Sequence, residues 1–215
     1  MTDVSAEHDV ASRFFEFDPA TLYESAGQRG MVDPSISPAW SGAKVCGQAM
    51  TAKGAPGDNL VLHHAVAMAP PGSVIVADIG SYLGAGAWGE ILTVAAQARN
   101  IAGLVVNGAV RDIEAIAQRK FPVFSRGLAI GACTKEKPGE LNIPLVFGGV
   151  VIQPGDVILG DSDGLVVIPR EKADDVYRAA CARHEREKQI MAELGRGKTT
   201  IEILGLPQLS GQPAK

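Results

Sequence analysis

The chain has 215 residues, of which 46% are hydrophobic, and its 20 Lys and Arg stand against 24 Asp and Glu for a net charge of -4. That is enough apolar material for the core of a single domain, and basic residues this scattered argue against nucleic acid as a primary partner. The acidic first ten residues lack the apolar stretch of a signal peptide, and no apolar run approaches the ~18 residues of a membrane span, so a cytoplasmic address with no membrane attachment is expected.

In chain order, residues 9–29 read as helical, with Asp18 as N-cap, Pro19 at the first helical position, and Gly30 and Pro34 as the stop. Residues 44–51 read as a strand and 59–68 as a short helix ended by Pro70, Pro71 and Gly72. The continuous apolar run 73–79 is of the kind found in strands covered on both faces. A glycine-rich loop over 80–89 then leads into a helix from Glu90 and a strand over 103–107, a β-loop-α-β unit. A helix over 113–119 and a strand over 122–125 follow. Short apolar runs at 144–147, 150–152, 156–159 and 164–169, punctuated by Gly and Pro, make the second half β-rich. From Arg170 onward, Arg, Glu, Lys and Ala at helical spacing predict a long C-terminal helix with a solvated face, in a helical extension over about 170–206. Residues 207–215 read as a disordered tail. No repeat or interior linker divides the chain, so 1–215 is expected to be one α/β domain. Cys46, Cys133 and Cys181 are odd in number and far apart, which suits reduced thiols and neither a disulfide framework nor a CxxC metal site.

Gly84, Gly86 and Gly89 formally match G-x-G-x-x-G. A dinucleotide site is nevertheless not expected, because Gly80-Ser-Tyr-Leu separates them from the strand and the next strand ends in Asn107 where a ribose-binding acid is wanted. A glycine loop entering a helix still presents unpaired amides and the positive end of the helix dipole, so the backbone of Gly89, Glu90, Ile91 and Leu92 is a candidate for holding a carboxylate; the alternative is a plain turn with an acidic first helical turn. Arg111 and Asp112 follow the next strand, beyond Asn107-Gly108 where the chain is expected to turn, so their loop lies beside the glycine loop. Arg111 offers a planar donor fork for a carboxylate or an enolate oxygen, and Asp112 offers hard oxygens for Mg2+ or Mn2+. A surface Arg-Asp turn is the alternative.

Other features weigh less. His63 and His64 are adjacent on a helix and point about 100° apart, so packing or a subunit contact is favoured over one shared metal. Lys135 and Lys137 sit in a solvated loop that could bind an anionic substrate across a subunit interface, and Trp88 could wall the pocket. Lys198 resembles a P-loop lysine, but position 192 is Ala and no strand precedes it, so no nucleotide is expected.

The stretch 86–112, with an acid at Glu90, twenty residues, then Arg111-Asp112, resembles the RraA-like family, in particular its 4-hydroxy-4-methyl-2-oxoglutarate/4-carboxy-4-hydroxy-2-oxoadipate aldolases. The resemblance extends to Thr21-Leu-Tyr-Glu near the start, Asp58-Asn-Leu, Pro154-Gly-Asp156 and Asp161-Ser-Asp-Gly near the end. It implies a layered β/β/α swivelling-domain-like fold, a homotrimer or homohexamer, and a class II pyruvate aldolase that uses a divalent metal, Mg2+ or Mn2+, rather than a lysine Schiff base. By position, Asp112 would bind the metal, Arg111 would contact the pyruvyl group, and the Gly89–Leu92 backbone would bind the small anionic 2-oxo acid. The implied setting is aromatic-compound degradation, with oxaloacetate decarboxylation as a side activity and a positioned water as base. Some members carry an acid three places after the metal-binding Asp; here that place is Ala115 and the acid is Glu114. Members also receive a carboxylate from a neighbouring subunit's C-terminal region, for which Glu202 is the candidate. Other relatives are regulators that bind and inhibit a ribonuclease, which is the alternative reading.

Overall fold

The computed structural model describes residues 13–208. Residues 9–12 of the expected first helix and the expected tail from 209 onward lie outside the described residues. In chain order the elements are α1 (Pro19–Ser25), β1 (Ser37–Pro38), β2 (Val45–Lys53), α2 (Leu60–Met68), β3 (Ser73–Gly86), α3 (Glu90–Ala98), β4 (Gly103–Val110), α4 (Ile113–Gln118) and β5 (Val123–Leu128). Then follow β6 (Glu140–Leu141), β7 (Leu145–Phe147), β8 (Val150–Ile152), β9 (Val157–Asp161), β10 (Gly164–Ile168), α5 (Ala173–Gly195) and α6 (Thr200–Leu204).

The sheet order is β1-β5-β4-β3-β2-β9-β10, with β6 added beside β2. Strands β2 to β5 pair in parallel, and the strands flanking them are antiparallel. Alternation of side chains along the parallel strands assigns the two faces. Met50, Ile75, Ala77, Leu104, Val106 and Val123 face the layer of α2, α3 and α4. Ala49, Val74, Val76, Val105 and Phe124 face the β7-β8 hairpin, which covers the opposite side through Leu145, Phe147 and Ile152. Because both faces are covered, β4 is buried along its whole length, which is why its sequence is apolar apart from Asn107, whose side chain is hydrogen-bonded to Asp78, Ser81 and Arg126. The result is the β/β/α layering expected from the resemblance.

A third cluster caps the β9-β10 edge, where Phe14, Phe17 and Leu22 meet Val157, Leu159, Val166 and, from α5, Ala173, Val176 and Ala180. Asp18 caps α1 as expected, its Oδ1 accepting the Thr21 amide at 2.7 Å, an interaction typically worth about 1 kcal/mol. The C-terminal helical extension is real but broken at Arg196–Lys198, and from Cys181 to Gln208 no residue is buried. Among the described residues no helix is long and apolar enough to cross a membrane.

Three expectations need correction. The helix expected over 9–29 is, among the described residues, a 3-10 turn over Arg13–Glu16 and then α1 over Pro19–Ser25, because Asp18 takes the extended backbone of an N-cap and so interrupts any helix running through it. Residues 80–86 belong to β3 rather than to a loop: Gly80 and Ser81, at positive φ, shift the β3-β4 register, and the strand resumes to Gly86. The chain also does not turn at Asn107-Gly108, because β4 continues to Val110. Gly108, which has no side chain, lies against the tip of Ile79, where a Cβ would overlap it. The turn therefore falls at Arg111 and Asp112 themselves.

Candidate active site

The link between β3 and α3 is only Ala87, Trp88 and Gly89, and every carbonyl in it is held. Asn59 Nδ2 donates to Ala87 O at 2.9 Å, the Arg111 amide donates to Trp88 O at 2.8 Å, and the Thr93 amide donates to Gly89 O at 3.1 Å. The Arg111 bond brings the end of β4 directly against the start of α3. The two loops that the sequence placed side by side are thus joined through backbone.

Asp112 is the N-cap of α4 in the left-handed region, φ 58°, ψ 36°. Aspartate is among the few side chains that tolerate this conformation, at a cost of about 1–2 kcal/mol for an L-residue. There its carboxylate turns back, and Oδ2 accepts the Glu90 amide at 3.0 Å and lies 3.6 Å from Arg111 Nε. Both side chains remain partly exposed. A Cβ built on Gly89 would overlap Asp112 Oδ2 and sit 3.2 Å from Arg111 Nε, so the glycine is what leaves room for both groups.

The expected site residues therefore converge, with two refinements. One of the first α3 amides, that of Glu90, is already engaged by Asp112, which leaves the Ile91 and Leu92 amides facing the helix N-terminus. The Glu90 side chain turns to α4, its Oε1 accepting Arg119 Nε at 3.0 Å and Nη2 at 2.7 Å. Trp88 does not wall the pocket. It is fully buried, stacked on Phe121 with ring centroids 6.0 Å apart, and its indole donates to Thr93 Oγ1 at 2.8 Å. An apolar ring in a glycine-rich segment gains more from the core than from the cleft. Glu202 caps α6 in a reciprocal box with Thr199, far along the chain's exposed arm.

Beside Arg111 and Asp112 opens a cleft of about 300 Å3 walled by Val110, Ile113, Leu128, Ala129 and Ile130. Asp112 also borders a second cleft of about 480 Å3, shared with Glu90, Glu114 and Gln118. A larger cleft of about 900 Å3 lies elsewhere, between the end of α1, β8 and α5, where Arg29 and Lys172 are mixed with Glu171 and Asp175. Size favours that cleft, but the clefts at Asp112 have the convergent polar groups that chemistry requires.

The loop beyond Ile130 is fastened to the same region. Gly131 O accepts the Gly86 amide, and the buried Asp58 carboxylate accepts from Thr134 Oγ1 at 2.6 Å and from the amides of Glu136, Lys137 and Leu60. Burial alone would raise the Asp58 pKa. The bonds from Thr134, Glu136, Leu60 and Lys137 outweigh it and hold the value at about 2. A depressed carboxylate contributes stability that is complete above its ordinary pKa and lost as pH falls through the folded value. Asp58→Asn is thus expected to lower Tm by about 4–8 °C at neutral pH, equivalent to roughly 2 kcal/mol for a chain of this size. The gap to wild type should narrow between about pH 4 and pH 2; melting curves across that range check it, and a constant gap refutes the assignment.

His63 is part-buried with its pKa pushed down, first by burial and then by Lys135 and His64, and its Nε2 is buried without a hydrogen bond. His64 is exposed. Among the described residues no group of three His, Cys, Asp or Glu side chains is placed to hold a metal. Cys46, Cys133 and Cys181 are not joined in disulfides.

The family profile for RraA-like proteins, described as Aldolase/RraA, matches residues 8–167. The chain belongs to the RraA-like family. Among RraA-like relatives, a protein of Halalkalibacterium halodurans provisionally named 4-hydroxy-4-methyl-2-oxoglutarate aldolase is 37% identical over 175 residues, covering 81% of this chain and 83% of its own. An uncharacterized protein from Pseudomonas syringae superposes with a TM-score of 0.80 at 31% identity, covering 88% of this chain and 90% of the other. The RNA-processing inhibitor RraA from Thermus superposes at 0.67 with 27% identity, over 72% of this chain and 93% of that one. The RraA-like fold and the Glu90, Arg111, Asp112 spacing thus occur together in this chain.

Proposed function

We propose that this RraA-like protein is a divalent-metal-dependent pyruvate aldolase that cleaves 4-hydroxy-2-oxo acids. The observation that carries the reading is the convergence of Arg111, Asp112 and the α3 N-terminus on Gly89, where only a glycine leaves space. Aldolase naming of the Halalkalibacterium relative supports it. The substrates proposed are 4-carboxy-4-hydroxy-2-oxoadipate and 4-hydroxy-4-methyl-2-oxoglutarate, yielding pyruvate with oxaloacetate or with a second pyruvate.

The donor set suits Mg2+ or Mn2+. One hard carboxylate, Asp112, faces open space, and these ions are commonly held by one or two carboxylates with water and substrate oxygens completing the shell. Glu114 and a neighbouring subunit's Glu202 are the candidate outer supports. When bound, the metal would act as a Lewis acid toward the 2-oxo acid. The chain's own groups have distinct tasks. The Ile91 and Leu92 amides and the helix dipole bind a carboxylate. Arg111, held by its backbone bond to Trp88, presents its guanidinium to the 2-oxo oxygen as negative charge grows there. Loss of the C4 hydroxyl proton to a water makes C4 a carbonyl as the C3–C4 bond breaks. Its electron pair passes into the pyruvate enolate, which is then protonated at C3. Oxaloacetate would give the same enolate by losing carbon dioxide, which accounts for the proposed decarboxylase side activity.

A homotrimer or homohexamer is part of the proposal. Leu128 (58% exposed) and Ile130 (97%) line the cleft and Ile91 (78%) lies on the first turn of α3, and apolar side chains exposed around a polar site are typical of a surface covered by another subunit.

The test is pyruvate release coupled to lactate dehydrogenase, with Mg2+ and with EDTA. Turnover that EDTA reduces to background and Mg2+ restores is expected. Turnover insensitive to EDTA would refute metal dependence. No turnover with metal, together with capture of a ribonuclease, would favour the regulatory role suggested by similarity to the Thermus inhibitor.

A further inference from the structure

The groups that fix the start of α3 form a chain of hydrogen bonds leading from the core to Asp112. Trp88 Nε1 donates to Thr93 Oγ1 at 2.8 Å, and Thr93 Oγ1 donates to Gly89 O at 3.1 Å. That carbonyl belongs to the same peptide unit as the Glu90 amide, which donates to Asp112 Oδ2 at 3.0 Å. Thr93 and Trp88 are both completely buried, and Trp88 is further pinned by its stack on Phe121.

The direction of each bond follows from chemistry. An indole N–H can only donate, so the Thr93 hydroxyl must accept from it, and its single proton is then directed to Gly89 O. The Gly89–Glu90 peptide plane is held from its carbonyl side by two donors of Thr93, its hydroxyl and its backbone amide, each 3.1 Å from Gly89 O, and the hydroxyl adds to the backbone bond in turning the Glu90 amide toward Asp112. Hydrogen bonds in series polarise one another, so each link tightens the next.

We propose that Thr93 is a positioning residue for Asp112, acting through the Gly89–Glu90 peptide, with Trp88 setting the rotor of its hydroxyl. This rests on the reading of Asp112 as a metal ligand, but the orienting effect on the Glu90 amide does not. Thr93 touches neither metal nor substrate. Its influence is on where the carboxylate points.

The test compares Thr93→Val, which keeps the shape and removes the hydroxyl, with Thr93→Ser, which keeps the hydroxyl. Two quantities are read: exchange of the Glu90 amide by NMR, and binding of Mn2+ alone by the electron-spin signal of the free ion. For Thr93→Val, Glu90 exchange should speed up by about tenfold, and the Mn2+ dissociation constant should rise by about tenfold, the low end of what loss of an outer support costs a metal site. Thr93→Ser should restore both to within about twofold. Should Thr93→Val fail to fold, Trp88→Phe removes the indole donor without stranding a buried N–H, and is expected to speed Glu90 exchange by about threefold. Unchanged Glu90 exchange in the folded Thr93→Val protein, or in Trp88→Phe if Thr93→Val does not fold, overturns the proposal. Wild-type protein that binds no Mn2+ refutes the metal reading instead, and Glu90 exchange then decides the role of Thr93.

Discussion

Asp112→Gly is expected to reduce kcat for pyruvate release by about a hundred- to a thousandfold, the 2.7–4 kcal/mol range typical of losing one preorganised electrostatic stabiliser. Glycine is the informative replacement because position 112 has φ 58°, where alanine would add strain of its own. The substitution removes the carboxylate and relieves the left-handed strain together, so the fold should lose little. What it gives up is the bond to the Glu90 amide, on a partly exposed side chain. A melting temperature within about 4 °C of wild type, beside collapsed turnover, would separate a chemical role from a structural one. The lactate dehydrogenase assay and a thermal scan supply both numbers. Full activity in Asp112→Gly would remove Asp112 as the metal ligand and with it the core of the proposed mechanism.

Gly89→Ala is expected to lower kcat/KM by about a hundredfold, the loss associated with misplacing catalytic groups by roughly 1 Å. The backbone at Gly89, φ -150° and ψ -164°, is extended and open to any residue, so alanine meets no torsional penalty there. Its methyl group would instead overlap Asp112 Oδ2 and crowd Arg111 Nε. Either the carboxylate swings off the Glu90 amide or α3 shifts away from β4, and each outcome spoils the alignment of Arg111, Asp112 and the helix N-terminus. Steady-state kinetics of a folded variant check this, and wild-type kcat/KM would show that the three groups do not act as one site.

Much of this was legible from the chain alone. The parallel unit around β3, α3 and β4 follows from a continuous apolar run, a glycine segment and a helix start, and Asp18 with Pro19 marks α1 without ambiguity. The candidate site was legible for a different reason. Glu90 and Arg111-Asp112 are brought together by local chain geometry, one helix and one strand, so their spacing in sequence fixes their spacing in space. Where the reading failed, the missing term was long-range. Gly80 and Gly108 look like turn residues, but inside a sheet a glycine also serves close approach and register shifts, and pairing between β3 and β4 kept both strands going. Trp88 looked available to the pocket because its neighbours are glycines, and only the position of Phe121, more than thirty residues later, draws the ring inward.

Sequence by itself determined the class of fold, the order of its main elements and the identity of the converging residues, because apolar periodicity, capping chemistry and one β-α-β unit are local properties. Only the tertiary structure decided the orientation of those residues. Asp112 turns back onto the Glu90 amide, Glu90 pairs with Arg119, and Thr93 links Trp88 to the Gly89 peptide. The Trp88–Thr93 link is decided by burial, since a buried polar group without a partner costs about 1–3 kcal/mol, while the pairings of Asp112 and Glu90, on partly exposed side chains, are decided by which groups the packing of α3 beside α4 brings within reach.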